Sequence, residues 1–204
     1  MTTVSKQDNS AILFLYEGDT ERDFYNELFE KIGLAGMAQI KKSSLKGNTG
    51  LNIRVAKKID AYLENSANAG IEYLSVFVAY DREGDRSYGS RINKGLIANE
   101  VASKRLKAIH EIIATQMLES WFLIDIDGIY KHLDMPENKR EPHRYKDYEK
   151  FTWEHLHEIF KLKDKNKKYH KGAGCIDLIK ALDLMKIHDN CADLKDGMSK
   201  LMQT

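Results

Sequence analysis

The sequence predicts an α/β fold: a mostly parallel sheet flanked by helices, with a helical C-terminal extension. Three observations lead there. Residues 11–16 and Tyr73 to Tyr80 are short apolar runs, as expected of strands covered on both faces. Segments with helical spacing separate the strand candidates. Both runs end abruptly in acids, which marks the edge of a sheet rather than its interior. Short strands alternating with helices imply parallel neighbours joined by right-handed crossovers.

Residues 1–10 are polar and read as a tail. Residues 11–16 are the first strand. Gly18 then permits either a positive φ or a close approach, and Asp19 or Thr20 caps the next helix, with Asp23 three residues beyond Thr20. That helix spans 20–33: Phe24, Leu28 and Ile32 share a face and Gly33 ends it. Met37 to Lys41 reads as a short second strand and Ser43 to Gly50 as a loop. Residues 51–66 form a second helix whose apolar face holds Ile53, Ala56, Ile59 and Leu63, widened by Val55 and Tyr62. Tyr73 to Tyr80 is the strongest strand signal, rich in β-branched and aromatic residues. Residues 87–95 read as a loop, 96–105 as a helix, Ala108 to Ala114 as a strand, and Met117 to Leu123 as a helix carrying Glu119. Residues 11–133 thus make an α/β core. Residues 134–204 make a linker and a helical extension: 134–150 hold both prolines, and helices follow at 152–161, 175–186 and 192–202.

The 32 Lys and Arg offset 31 Asp and Glu, for a net charge of +1. This excludes a global pull toward nucleic acid or anionic membrane, but not a local basic patch. Cys175 and Cys191 form no close-spaced metal motif and fit a reduced, cytoplasmic setting. No apolar run reaches membrane-spanning length and the polar N-terminus does not read as a signal peptide, so no membrane partner is expected. The oligomeric state stays open, a homodimer included.

Glu17 follows the first strand; Asp81 and Glu83 follow the strongest one. The i, i+2 spacing of Asp81 and Glu83 puts both on one face of an extended segment. If the two strands are neighbours, three carboxylates gather at one edge, which is unfavourable unless a cation neutralises them; the plainer reading is that acids and glycine merely end strands in solvent. Hard oxygen ligands suit Mg²⁺ or Mn²⁺. Asp85 is a further acid of the same segment. Arg82, Arg86 and Arg91 are the nearest cations for phosphate, and Lys41, Lys42 and Lys46 could reach the same edge. The basic run Lys161 to Lys171 either tracks a nucleic-acid backbone or is a solvated loop. A competing motif is Phe122-Leu123-Ile124-Asp125-Ile126-Asp127-Gly128, which resembles the first motif of haloacid-dehalogenase-type phosphatases, with Asp125 as nucleophile and Asp127 as acid. The simpler reading makes Asp127 a helix cap.

Tyr16-Glu17-Gly18-Asp19-Thr20-Glu21 after a strand, followed by an apolar strand ending in Asp81-Arg82-Glu83, resembles a Toprim domain, a Rossmann-like fold. The similarity is closer to OLD-type nuclease domains and to an uncharacterised prokaryotic Toprim-like family. Met117-Leu118-Glu119-Ser120-Trp121 and the Tyr169-His170-Lys171 stretch resemble segments of that family. The resemblance implies metal-dependent phosphodiester hydrolysis on DNA or RNA, anti-phage defence and an ATPase partner. It makes Glu17 a metal ligand or general acid/base and matches Asp81 and Glu83 to an Asp-x-Asp metal pair, with Glu in place of the second Asp and Asp85 as its substitute. It adds Glu119 as a metal-side acid and Glu21 as a catalytic acid. On the residues alone, Glu119 is equally an exposed helix acid, and Glu21 a first-turn acid favoured by the helix dipole. Arg82, Arg86 and Lys171 are the phosphate-binding candidates. The Glu at position 83 leaves a second option open: an accessory metal- or nucleic-acid-binding module with a weak site.

Overall fold

The computed structural model describes residues 9–47, 50–84, 89–101 and 103–204. Strands β1 (Ser10–Tyr16), β2 (Ile40–Ser44), β3 (Tyr73–Asp81) and β4 (Leu106–Ala114) form one sheet in the order β2-β1-β3-β4, all parallel. This is the expected α/β class. The central strands β1 and β3 are the apolar runs, since both of their faces are covered.

Alternation sorts the side chains. Ile12, Phe14, Tyr16, Phe77, Ala79 and Ile112 share one apolar cluster with helix α1 (Asp19–Lys31). Leu13, Leu15, Val76, Val78 and Tyr80 share another with α2 (Leu51–Glu64) and α3 (Lys94–Glu100). The chain leaves β1 toward β2 through α1 on one face. It then passes β1 and builds β3 and β4 through α2 and α3 on the other. The carboxyl ends of β1 and β3 therefore flank a topological switch point, where open α/β sheets bind ligands.

The C-terminal part is helical: α4 (Leu118–Phe122), α5 (Ile126–His132), α6 (Trp153–Lys163), α7 (Ile176–Ala181), α8 (Leu184–Asn190) and α9 (Ala192–Met202). Residues 134–150 carry three single 3-10 turns. Leu156, Ile179, Ile187, Leu194 and Met198 of these helices belong to the same cluster as β1 and α1. Helix α9 lies against β4 at Gly197, where a Cβ would come within 2.5 Å of Ile112 Cγ1; only glycine permits that approach. Phe24 of α1 packs on Trp121 and Phe122, with ring centroids 6.1 and 5.9 Å away. Full burial of a ring such as Phe122 contributes about 2–3 kcal/mol, so these contacts hold α4 at the sheet edge. No helix among the described residues is long and apolar enough to cross a membrane.

Four elements differ from the sequence expectation. The second strand lies at Ile40–Ser44, not 37–41, and takes Ser43 and Ser44 from the expected loop. It is an edge strand and needs no apolar alternation: Lys42 Nζ donates to Asn26 and Lys58 Nζ to Ser43. Ile53 was expected on the buried face of α2 but is 57% exposed; Leu51, Val55, Ala56, Ile59 and Leu63 make that face. The helix expected at 96–105 is α3, which stops at Glu100 before β4 begins at Leu106. The helix expected at 175–186 breaks at Leu182–Asp183, where the Asp183 side chain accepts from Lys186 N–H and starts α8.

Candidate metal centre

The site begins where β1 ends. Tyr16 pairs with Ala79 of β3, so Glu17 emerges beside the last residues of that strand. Gly18 follows with φ −142°, an extended conformation, so close approach rather than a positive φ is what the glycine provides. Its N–H donates to Glu21 Oε2 at 3.0 Å, and a Cβ at position 18 would lie 3.2 Å from that oxygen. Gly18, not Asp19 or Thr20, is thus the N-cap residue of α1. Glu21 in the first turn reaches back to it, as in the acidic half of a capping box. Thr20 Oγ1 accepts instead from Gly172 N–H at 2.8 Å, tying the C-terminal segment to the start of α1.

Asp81 is the last residue of β3, on the α1 side by alternation. Its Oδ1 accepts from Leu118 N–H at 2.8 Å, satisfying one of the free donors at the start of α4. Glu119, the next residue of α4, is 1% exposed. Tyr169 Oη donates to Glu119 Oε1 at 3.2 Å, and Lys171 Nζ lies 3.6 Å from the same oxygen.

One carboxylate oxygen from each of Glu17, Glu21 and Asp81 lies within 4.8 Å of the others, and all three residues are buried. Burial, then the neighbouring Glu21, pushes the Glu17 carboxyl up to about 7, while the Arg91 guanidinium pulls it back. Asp81 is raised well above the carboxylate range by burial and then by Glu21, Glu119 and Glu17. Glu21 is raised by burial first and by Glu119, against the hydrogen bond from Gly18 and the charge of Lys171. Glu17 Oε1 is buried with no hydrogen-bond partner among the described residues. Such a set must hold protons or a cation. An all-oxygen donor set with an unpartnered lone pair fits a hard divalent ion such as Mg²⁺ or Mn²⁺.

The sequence matches the family described as "Domain of unknown function (DUF4276)" over residues 16–201. The chain belongs to that family. The match takes in all of Glu17, Glu21, Asp81, Glu119 and Lys171. No curated protein matches the chain. Solved structures of the C-terminal region of the Xanthomonas campestris pv. campestris OLD protein are similar to it. The one phased with iodine has 14% identity, covers 98% of this chain and 100% of that chain, and gives a TM-score of 0.44. The one phased with platinum has 17% identity, 95% and 96% coverage, and a TM-score of 0.43.

Not every expected residue joins the cluster. Glu83 does not: the i, i+2 argument needs an extended backbone, and Glu83 has φ 58°, which turns its side chain to solvent and onto Arg91. Glu21 takes the third place. Glu119 is not an exposed helix acid but a buried one. Asp85 and Arg86 lie outside the described residues. Arg82 donates its N–H to Ala114 O at 2.8 Å, and its Nε is buried without a hydrogen-bond partner among the described residues. Lys171 stands beside Glu119, on the rim of the acids. Asp125 departs from the phosphatase expectation. It lies in a 3-10 turn, Leu123–Asp125, not at a strand end, and both its oxygens are taken, by Lys186 Nζ at 2.9 Å and Asp183 N–H at 2.8 Å. Asp125, not Asp127, is the residue preceding α5.

Sequence reasoning placed Arg91 only near the site. The structure puts its Nη1 3.0 Å from the Asp81 carbonyl oxygen. The Tyr169–Glu119 bond spans 50 residues, so no local spacing could have announced it. One strand over, where β4 ends, a cleft of about 490 Å³ is lined by Thr115, Gln116 and residues 146–150; Glu17, Glu21, Asp81 and Glu119 do not line it.

Proposed function

We propose that this chain is a metal-dependent hydrolase of nucleic-acid phosphodiesters, of Toprim type. The observation that carries the reading is the buried, mutually close trio Glu17, Glu21 and Asp81 at the switch point, with Glu17 Oε1 unpartnered among the described residues. Glu21 and Asp81, tethered by the Gly18 and Leu118 N–H groups, are the fixed ligands for Mg²⁺ or Mn²⁺, and Glu17 completes the set. An ion held there would supply a water of lowered pKa and neutralise charge on the phosphate. A Glu17 carboxylate oxygen that the ion leaves free is suited to take the water's proton. Lys171 is suited to a non-bridging phosphate oxygen, with Glu119 and Tyr169 fixing where its ammonium group stands. The motif resemblance also supports an ATPase partner and a role in anti-phage defence, by analogy of sequence alone.

One observation favours a second reading, an accessory module with a weak site: Glu83, at the second position of the Asp-x-Glu pair, is turned away from the acids. Plasmid nicking with Mg²⁺ and Mn²⁺, for wild type and Glu17→Gln, separates the two. The hydrolase reading expects nicking that the substitution removes. Nicking that survives Glu17→Gln excludes this site, and tight Mn²⁺ binding with no turnover on DNA or RNA favours the accessory module.

A further inference from the structure

Arg91 is fixed by groups that do not belong to the acid cluster. Its N–H donates to Tyr80 Oη at 3.2 Å, and its carbonyl accepts from Asn52 Nδ2 at 3.3 Å. Asn52 Oδ1 also accepts from Asn93 N–H at 2.7 Å. Tyr80 Oη in turn donates to Glu111 Oε2 at 2.6 Å, Ser90 Oγ donates to the same oxygen, and Lys94 lies 3.4 Å from Glu111. Tyr80 and Asp81 are consecutive on β3, so they leave the strand on opposite faces. One strand end thus delivers an acid to the metal centre and, on its other side, a mooring for the backbone of Arg91.

The guanidinium then reaches back across the strand end. Its Nη1 donates to the Asp81 carbonyl at 3.0 Å and to Glu83 Oε2 at 3.3 Å. The second contact differs in kind from the rest. Glu83 is 57% exposed and Arg91 28%, and ion pairs this open to water are weak and exchange readily. Glu83 also sits at φ 58°, a region that residues other than glycine seldom occupy and that clusters at functional sites. An arginine whose backbone is hydrogen-bonded on both sides, at the rim of an acid cluster, holds one exchangeable carboxylate among the described residues.

We propose that Arg91 anchors the substrate's phosphodiester anion beside the acids, and that Glu83 occupies this anchor until the substrate displaces it. A guanidinium is matched to two phosphate oxygens at once, which a lone carboxylate at an exposed site does not outcompete. Glu83 is then a competitor for the substrate, not a ligand of the metal. The inference rests on the hydrolase reading above.

The test uses the full chain, with fluorescein-labelled single- and double-stranded oligonucleotides as probes. Binding is followed by anisotropy in Ca²⁺ over a salt series, and Mn²⁺ binding by calorimetry on the same variants. Arg91→Ala should weaken oligonucleotide binding by about tenfold and lower the log–log salt slope by about one. Arg91→Lys, which keeps the charge and guards against a folding defect, should keep the slope and recover part of the affinity. Glu83→Gln should tighten binding about two- to fivefold. Tyr80→Phe should weaken binding less than Arg91→Ala and leave the slope unchanged. Mn²⁺ affinity should be kept within about threefold in all four, since none of them removes a ligand. An unchanged affinity and slope in Arg91→Ala would overturn the proposal. So would a Glu83→Gln variant that loses Mn²⁺ as Glu17→Gln does, since Glu83 would then be a ligand. Wild type that binds Mn²⁺ but neither oligonucleotide removes the hydrolase reading and this inference together. Wild type that binds both probes with an indifferent Arg91 removes this inference alone.

Discussion

Asp125 and the trio Glu17, Glu21 and Asp81 are almost equally hidden from water, yet their surroundings are opposite. Asp125 has a lysine on one oxygen and a backbone N–H on the other. The trio has the Gly18 N–H on Glu21, the Leu118 N–H on Asp81 and the Asp81 backbone beside Glu17, with no partner on Glu17 Oε1 among the described residues and other acids for neighbours. A buried carboxylate that carries its own cation is part of the scaffold. A group of them whose nearest neighbours are other acids is, on our proposal, where a cation would enter. The sequence gives no hint of this distinction, because Asp125 and Asp81 both follow apolar runs.

The comparison breaks most visibly if acids of both kinds behave alike. Glu17→Gln or Asp81→Asn should lower Mn²⁺-dependent nicking by more than about a hundredfold, while Asp125→Asn should leave nicking and Mn²⁺ affinity in place; equal losses in all three would erase the contrast. The next effect is on stability. The Glu17 carboxyl is raised from 4.5 to about 7 in the fold, so the folded state binds its proton more tightly than the unfolded chain. Its stabilising contribution is complete below pH 4.5 and is lost as the pH rises to about 7, on the order of 2–3 kcal/mol. Glu21 and Asp81 act with the same sign. Thermal melts of the metal-free protein should therefore fall over that window. Mn²⁺ at a hundred times its Kd should restore about 2.7 kcal/mol at pH 7.5. A metal-free melting curve that rises through the window would mean that the acids are not crowded in solution.

Asp125→Ala should cost about 2 kcal/mol at any pH near neutrality, measured by denaturant unfolding. It strips a buried partner from Lys186 and from the start of α8, and the 38% exposure of Lys186 keeps the loss below that of a fully buried pair. The smallest expected effect is that of Tyr169→Phe, which removes one donor from Glu119 and should cost about 1 kcal/mol. A loss of nicking far beyond that, with stability unchanged, would give Tyr169 a direct part in the reaction.

The central strands were legible in the sequence because burial on both faces demands unbroken apolar runs, and their acid ends located Glu17 and Asp81. The edge strand β2 was displaced by three residues because Ile-Lys-Lys-Ser-Ser carries no alternation to read. Glu83 was misplaced because a period of two holds only while the backbone stays extended. Glu21 was readable as an acid in a first helical turn, but not as a neighbour of Asp81, since that contact depends on how α1 docks. The break between α7 and α8 was hidden by apolar residues on both sides of Asp183.

The bond from Gly172 to Thr20 joins positions 152 residues apart. With Tyr169 and Lys171 on the same return segment, it means the acids cannot be trimmed to a portable fragment. A piece ending at residue 133 would keep every carboxylate of the cluster but lose the lysine and the phenol that face Glu119. It would also bare the sheet face that α9 shields. The first strand and the last helices share one core, and the surroundings of the acids depend on residues far along the chain.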